Sequence, residues 1–121
     1  MTRIGERDID RLVRIIDHCD KIRACMDRFG DDINVFKDDP FYQDAVYMNI
    51  FQIGEISHYI SEDCLKQMPE VPWAKIYGQR NVIAHGYETL LEETVWNTIK
   101  TDIPELSKSI TSFLGSIGVD L

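Results

Sequence analysis

The middle of the chain contains a stretch with helical character that is apolar on almost every side. From Ala45 to Ile60 the apolar residues do not form one stripe at the helical period, because they occur almost all round the predicted axis. A helix without a wide polar face has to be covered on more than one side. The stretch is therefore either the central helix of a bundle or part of a subunit interface. Its large apolar residues are Val46, Tyr47, Met48, Ile50, Phe51, Ile53, Ile56, Tyr59 and Ile60.

The first half of the chain predicts two helices with a short break between them. Residues from about 7 to 28 carry apolar side chains at helical spacing. Gly30 and the two aspartates that follow it interrupt this pattern. The dipeptide Asp39-Pro40 then supplies an N-cap and a first-turn proline for a second helix. We expect this second helix to run from about 40 to 67.

The second half predicts two further helices. Pro72 opens a third helix, which continues to Gly86, a typical helix stop. Thr89 and Glu92 have the spacing of a capping box at the start of a fourth helix. Pro104 lies inside the apolar pattern of that helix and is expected to kink or split it. Because no segment alternates with strand period for long, we predict an all-α bundle of four to five helices.

The size and composition of the chain narrow the classes of protein. Its 121 residues are enough for one domain, residues 1–121. A hydrophobic content of 44% with 28% charged residues is typical of a globular protein and not of a disordered or membrane chain. The charged N-terminus MTRIGERDID is unlike a secretory signal, and no apolar run approaches the length of a membrane span. We therefore expect a cytoplasmic protein that does not bind a membrane.

The three cysteines indicate no metal site and no catalytic thiol. Cys19, Cys25 and Cys64 are odd in number and lie within helical patterns. They lack the paired spacings that zinc sites require. We interpret them as reduced thiols that pack in the core.

The charge of the chain is acidic overall but basic on one predicted face. A formal net charge of −8 argues against broad affinity for nucleic acid, because phosphate binding depends on clustered positive charge. On the first helix, however, five basic residues fall within an arc of roughly 100°. This basic stripe is either a solvated face with the ion pairs Asp10–Arg14 and Asp17–Lys21, or a phosphate track that leads to a site elsewhere. Its members are Arg7, Arg11, Arg14, Lys21 and Arg28.

The segment RNVIAHGYE, residues 80–88, places a distinctive set of polar groups at the end of the third helix. Histidine can take and give a proton near neutral pH, and arginine supplies a permanent charge and a planar fork of donors for phosphate oxygens. No serine–base pair, glycine-rich phosphate loop or carboxylate cluster accompanies them. The set suits metal-free acid–base chemistry on RNA, whose own 2′-hydroxyl is a nucleophile. Spacing alone does not decide this, since histidines near helix ends are more often caps or core residues.

In a regular helix, the side chains of Arg80 and His85, which would act together, point in different directions. If the helix continues, Asn81 and His85 share a face, whereas Arg80 is displaced from His85 by about 140°. Arg80 and His85 can meet over one small group only if the helix loosens near Ala84 or a pocket wraps its end. Gly86 permits such a change.

The string RNVIAHGY resembles the Arg-x4–6-His motif of the HEPN superfamily. It is most similar to the Arg-x4-His-x-Tyr form found in HepT toxins of HepT–MntA toxin–antitoxin pairs. Further strings stand in the order and spacing expected there, over about residues 40–110. They are IGE at Ile53 to Glu55, PW at Pro72-Trp73, the pair Val95-Trp96, and IPEL at Ile103 to Leu106. One departure is Gln79, where many relatives carry methionine before the arginine.

The resemblance implies a function and a role for each motif residue. HEPN proteins are helical bundles that form homodimers, in which two copies of the motif face a shared cleft, and the active ones are metal-independent ribonucleases that need no cofactor. Carried over, His85 transfers protons, Arg80 holds the scissile phosphate and stabilises its charged intermediate, and Asn81 orients the pair or the substrate. Tyr87 is the acceptor for AMP groups added by a partner MntA-like nucleotidyltransferase, the antitoxin, and this modification silences the toxin.

Two residues of the second helix have predicted supporting roles. Glu55 lies in the apolar belt, where an unpaired carboxylate is costly, so we expect it to contact Arg80 or His85. Gly54 is expected to permit close approach of another helix. The other two histidines, His18 and His58, have no motif around them, and we assign them no chemistry.

Three interpretations remain open at the level of sequence. The first is a homodimeric HepT-like ribonuclease toxin that cleaves tRNA or mRNA. In it the basic residues Arg7, Arg11, Arg14 and Lys21 guide RNA to the cleft. The second is a non-catalytic subunit that positions substrate for a separately encoded nucleotidyltransferase. The third is a helical scaffold in which the motif is only structural, and it predicts that Arg80 and His85 point apart.

Overall fold

The computed structural model describes residues 4–86 and 90–121, and every regular element in these ranges is helical. The elements are α1 (Glu6–Phe29), α2 (Ile33–Asp38), α3 (Pro40–His58), α4 (Glu62–Leu65), α5 (Trp73–Ala84), α6 (Glu92–Asn97), a π-helical turn (Thr98–Asp102) and α7 (Ile103–Ser116). The predicted all-α class is confirmed. None of the helices described is long and apolar enough to cross a membrane.

The apolar helix α3 is the central element, with α1 packed on one side and α5 on another. Nη1 of Arg11 donates to the carbonyl of Tyr59 at 2.7 Å, which ties the start of α1 to the end of α3. Further along, Nδ1 of His18 lies 2.8 Å from Oδ1 of Asn49, so the two helices run antiparallel. Within one chain, α3 therefore has the central position that its apolar circumference predicts.

The break between the first two predicted helices contains a short helix that the sequence pattern did not predict. Asp32 caps α2 by accepting a hydrogen bond from the backbone N–H of Asn34 at 2.8 Å. Phe36 on α2 is fully buried and meets Tyr42 of α3 edge to face, with ring centroids 5.1 Å apart. Its ring also lies 5.7 Å from that of Trp96 on α6. The short helix thus closes one end of the core with an aromatic cluster.

The end of α3 corrects the sequence analysis, which expected the second helix to continue to about residue 67. The helix ends at His58, and Ser61 then caps the short helix α4 by accepting from the N–H of Cys64 at 3.2 Å. The carboxylate of Asp8 on α1 accepts from the N–H of Ser61 at 3.1 Å and from its hydroxyl at 2.6 Å. This contact fixes the chain where it leaves α3.

The last predicted helix passes Pro104 without a break, because the helix changes type before it. In the π-helical turn, the N–H of Ile103 donates to the carbonyl of Thr98, five residues earlier. Pro104 then lies in the first turn of α7, where a missing N–H costs little. Lys100 bonds Asp31 at 2.9 Å, which holds the turn against the α1–α2 junction.

The start of the fourth helix also differs from the prediction. α6 begins at Glu92 with Leu91 at the N-cap and no side-chain capping bond. The expected capping box, with Thr89 as the N-cap, would begin the helix at residue 90. Thr89 itself lies outside the described residues.

We expect the core around α3 to dominate stability. Ile53 of α3 is fully buried, whereas Ile117 after α7 is 38% exposed. Ile53→Ala should lower the free energy of unfolding by about 2–5 kcal/mol, because it leaves a cavity between packed helices. The same change at Ile117 should cost about 1 kcal/mol or less. Chemical denaturation of both variants measures the difference, and equal losses would contradict the central position of α3.

Candidate active site at the end of α5

Helices α3 and α5 come close together at a glycine. A Cβ built on Gly54 would lie 2.4 Å from the Cβ of Arg80 and 3.2 Å from the carbonyl oxygen of Ile76. Gly54 is buried and does not have a positive φ, so the position needs a glycine for space and not for its backbone conformation. The predicted role of Gly54 in close helix approach is confirmed.

The guanidinium of Arg80 is held between polar and aromatic groups. Nη2 lies 3.2 Å from Oε1 of Glu55, and Nη1 donates to Oδ1 of Asn81 at 3.1 Å. The Cζ atom lies 5.1 Å from the ring centroid of Phe51 and 5.7 Å from that of Tyr77. Three of the predicted site residues, Glu55, Arg80 and Asn81, are therefore in mutual contact or share a partner. The partner of Glu55 is Arg80, one of the two that the sequence analysis named.

The contacts of Arg80 leave part of its hydrogen-bonding capacity for a ligand. The bonds to Glu55 and Asn81 engage fewer than the five N–H donors of a guanidinium. The Nε atom is buried without a hydrogen-bond partner among the described residues. The side chain as a whole is 23% exposed, so an anion from solvent can reach it.

His85 follows the last residue of α5 and caps the helix. Its backbone N–H donates to the carbonyls of Asn81 and Val82, at 3.2 Å each. It has φ −94° and ψ −1°, a region that often holds active-site residues, and its side chain is exposed. Gly86, with φ 117°, then ends the helix as predicted. No hydrogen bond joins the side chains of His85 and Arg80 in the part of the chain that the structure describes.

The fourth predicted site residue of this segment, Tyr87, lies outside the described residues. It follows Gly86 directly and stands two positions after His85 in the chain. Its assignment as an AMP acceptor stays a prediction.

A row of flat side chains continues from Arg80 towards the end of α3, and the sequence analysis missed it. Tyr77 stacks on His58 with ring centroids 4.6 Å apart and an interplanar angle of 14°. His58 in turn meets Tyr59 at an angle of 77°, with centroids 5.4 Å apart. The sequence positions could have indicated this row. His58 and Tyr59 follow Glu55 by about one helical turn, so they lie near Glu55 in space.

The basic stripe of α1 divides into exposed residues and one anchored residue. Arg11 is half-buried, with Nη1 bonded to the carbonyl of Tyr59 and 3.9 Å from a carboxylate oxygen of Asp8. The exposed members are Arg7, Arg14, Lys21 and Arg28. Neither of the ion pairs expected within the stripe occurs among the described residues: Asp10–Arg14 and Asp17–Lys21. The stripe therefore presents exposed cations along α1, and Arg11 is the member bonded to the end of α3.

The cysteines lie apart from this site. Burial raises the pKa of the Cys19 thiol to about 12 and that of the Cys64 thiol to about 11. Burial also raises the pKa of Cys25. The thiols are therefore protonated at neutral pH, in agreement with their interpretation as core residues. In the described ranges, no group of three His, Cys, Asp or Glu side chains is arranged to hold a metal ion.

Comparison with known families decides the relationship of this fold and site. The profile of the family described as ribonuclease HepT-like matches residues 15–113. The chain belongs to the HepT-like family. The matched range of this HepT-like chain runs from α1 into α7 and includes both Glu55 and the segment from Arg80 to His85. The predicted membership of the HEPN superfamily is thereby confirmed.

Several named relatives resemble this HepT-like chain. A Methanocaldococcus jannaschii protein named "Putative RNase" is 33% identical over 79 residues, which cover 65% of this chain and 72% of that protein. A protein of Caldanaerobacter subterraneus subsp. tengcongensis with the same name is 30% identical over 79 residues, 65% of this chain and 70% of the relative. The "Probable ribonuclease HepT" of Thermococcus cleftensis is 36% identical over 64 residues, 53% of this chain and 58% of the relative. No solved structure matches the chain.

Two glycines allow a test of the close contact between α3 and α5. An added Cβ at Gly54 meets Arg80, whereas one at Gly78 of α5 meets nothing within 4 Å. Gly54→Ala should lower the free energy of unfolding by about 1–3 kcal/mol, because the helices must separate or Arg80 must move. Gly78→Ala should raise it by about 0.5–1 kcal/mol, because alanine favours a helix. Chemical denaturation of both variants checks this. A stabilising Gly54→Ala would show that the helices are not in close contact.

Proposed function

We propose that this chain is a metal-independent endoribonuclease toxin, acting on tRNA or mRNA with the residues Arg80, Asn81 and His85. The observation that carries the proposal is the position of Arg80, held by Glu55 and Asn81 five residues before an exposed histidine at the end of α5. A fixed cation and an exposed imidazole on one helix end supply groups that suit cleavage of a phosphodiester. Membership of the HepT-like family and the names of its relatives support the same activity.

The chemistry follows from groups that the RNA and this site supply. The RNA 2′-oxygen attacks the adjacent phosphorus while His85 takes its proton. A 2′-oxygen–phosphorus bond forms and the bond from phosphorus to the 5′-oxygen breaks. The leaving 5′-oxygen takes a proton from an imidazolium, and the products are a cyclic 2′,3′-phosphate and a 5′-hydroxyl. Arg80 stabilises the negative charge on the phosphoryl oxygens, and Glu55 and Asn81 hold the guanidinium in place for this role.

A homodimer completes the proposed site. One imidazole accepts the proton of the nucleophile, and the second copy of the motif across the cleft provides another imidazole for the leaving group. Two large apolar residues support a subunit contact on the solvent face of α3, since Phe41 is 78% exposed and Met48 is 54% exposed. They lie two turns apart on one face of the helix. A subunit interface is one of the two roles that the sequence analysis left open for this apolar helix.

The basic stripe of α1 gives RNA a route to the site despite the net charge of −8. Arg11 is bonded to the end of α3, so the stripe runs beside the helix that carries Glu55. The exposed residues Arg7, Arg14 and Lys21 extend along α1 and attract phosphates. Positive charge clustered on one face lets an acidic protein bind a polyanion locally.

We further propose that a partner nucleotidyltransferase of the MntA type silences the enzyme by adding AMP to Tyr87. The position of Tyr87, two residues after His85, supports this regulation. An AMP group there adds bulk and negative charge beside the imidazole, and both oppose the binding of an RNA phosphate. The protein would then act in the cytoplasm together with its antitoxin.

Replacement of His85 tests the nuclease activity. With the chain purified without its partner, and tRNA and mRNA incubated in chelator, the wild type should cleave RNA. His85→Ala should be slower by at least about 100-fold, because proton transfer by a positioned side chain contributes that much or more. Gel analysis of the products and detection of the cyclic phosphate end measure both effects.

A second histidine serves as the matched control for this experiment. His18 on α1 bonds Asn49 and lies outside the proposed site, so His18→Ala should cleave RNA at the wild-type rate once it is shown to be folded. Light scattering should show that both variants are homodimers. Equal cleavage by wild type and His85→Ala would remove the nuclease proposal. RNA binding without any cleavage would favour the non-catalytic subunit instead.

The modification of Tyr87 has its own measurement. After incubation with the partner nucleotidyltransferase and ATP, the intact mass of the chain should increase by one or more AMP units, and nuclease activity should fall. Tyr87→Phe lacks the acceptor hydroxyl and should keep both its mass and its activity. An increment that survives in Tyr87→Phe would place the modification on another residue.

A further inference from the structure

The proposed chemistry leaves unused an aromatic surface that adjoins Arg80. The guanidinium lies over Tyr77, and Tyr77 stacks on His58, so a continuous row of flat groups leads from the catalytic arginine to the end of α3. Beyond His58 the row turns at Tyr59, whose ring meets His58 at 77°. The row consists of side chains from two helices that are already fixed against each other at Gly54.

The far end of this row is exposed to solvent. His58 is exposed, and Tyr59 is 61% exposed. Tyr77 is half-buried and supports His58 from one side. Because the rings of His58 and Tyr59 are nearly perpendicular, a flat molecule that stacks on one ring presents its edge to the other. We call these two residues the aromatic corner.

An arginine lies on each side of the aromatic corner, and each has a carboxylate partner: Asp8 for Arg11 and Glu55 for Arg80. Arg11 donates to the carbonyl of Tyr59 at 2.7 Å, and Arg80 lies on the other side of Tyr77. Asp8 lies 3.9 Å from Arg11, but both of its carboxylate oxygens accept hydrogen bonds from Ser61. The corner therefore offers flat ring faces between two arginines. A nucleotide residue within an RNA strand has a comparable arrangement, with a flat base and a phosphate on its 5′ and its 3′ side.

We propose that His58 and Tyr59 form a nucleobase subsite that selects single-stranded RNA, with the adjoining phosphates at Arg80 and Arg11. The subsite rests on the proposed ribonuclease function, which it extends by naming the form of the substrate. Bases of a single strand are free to stack on protein rings, whereas the bases of a duplex are already stacked and paired. The aromatic corner holds the base next to the scissile phosphate and brings that phosphate to Arg80.

The aromatic corner lies further along the same face of α3 as the apolar pair that we assign to the homodimer contact, because Tyr59 is turned only about 20° around the axis from Met48. Tyr59 follows Met48 by about 16 Å along the axis of α3. Arg11 bonds the carbonyl of Tyr59, whereas in the described part of the chain no arginine or lysine bonds the backbone of Phe41 or Met48. A ring flanked by arginines suits a nucleotide better than a second apolar surface.

The test measures binding to His85→Ala, which keeps the RNA intact. The probes are a fluorescein-labelled oligouridine, the same strand in a duplex with oligoadenosine, and an abasic ribose-phosphate strand of equal length. Tyr59→Ala should weaken oligouridine binding by about 5- to 100-fold, since base stacking contributes that much per ring. The same change should leave abasic-strand binding unaltered, and the duplex should bind the parent chain more weakly than the single strand. His58→Ala, which removes the other ring, should also weaken oligouridine binding.

The matched control is Tyr59→Phe, which keeps the ring and should bind as the parent chain does. Oligouridine binding that is unchanged in Tyr59→Ala, or equally lost in Tyr59→Phe, would overturn the subsite. A loss of binding together with dissociation of the homodimer in light scattering would also overturn it, because Tyr59 would then be a subunit contact.

The outcome separates this proposal from the nuclease assignment. If neither wild type nor His85→Ala cleaves RNA but binding depends on the ring of Tyr59, the nuclease assignment fails and the base-binding subsite stands. If cleavage depends on His85 while Tyr59→Ala binds every probe as its parent does, the nuclease assignment stands and the subsite fails.

Discussion

The candidate site depends on the close contact between α3 and α5 at Gly54. Because Gly54 has no side chain, the Cβ of Arg80 and the carbonyl of Ile76 on α5 lie directly against α3. Phe51 and Glu55 stand four residues apart on α3, and so both reach the guanidinium from the same side. A larger residue at position 54 would move the arginine away from these two partners. The glycine, which has no chemistry of its own, thus determines where the positive charge lies.

The contacts of Arg80 orient the side chain more than they stabilise the fold. The side chains of Arg80 and Glu55 are 23% and 34% exposed, and ion pairs open to solvent typically contribute at most about 1 kcal/mol. The buried Nε without a partner in the described chain is a cost and not a gain. Glu55 also limits the net charge that Arg80 presents before a phosphate binds. In functional sites, local stability is often given up for a fixed geometry, and the candidate site has this property.

Sequence reasoning was accurate where local pattern decides the structure. The cap at Asp39, the stop at Gly86 and the small residue at Gly54 all follow from properties of single residues. The need of Glu55 for a partner follows from the cost of an unpaired carboxylate in an apolar belt. That cost does not identify the partner, because Arg80 and His85 were both candidates. Only the packing of α3 on α5 in the structure shows that the partner is Arg80.

The features that were missed depend on residues far apart in the chain. α3 ends at His58 where Ser61 bonds Asp8, a residue 53 positions earlier, and no local pattern contains that contact. The aromatic row joins Tyr77 to His58 across two helices, so its existence depends on their relative register. The π-helical turn before Pro104 replaced the expected break, because an additional residue in the turn accommodates the missing N–H.

That turn also limits how the length of this region can vary during evolution. The π-helical turn contains one residue more than a regular turn, and its two charged residues, Lys100 and Asp102, bond Asp31 and Lys75 on different neighbours. Deleting one residue there would restore an ordinary α-helix but rotate one of these side chains away from its partner. Insertions and deletions in related chains should therefore accumulate in the connections between helices and spare residues 98–102.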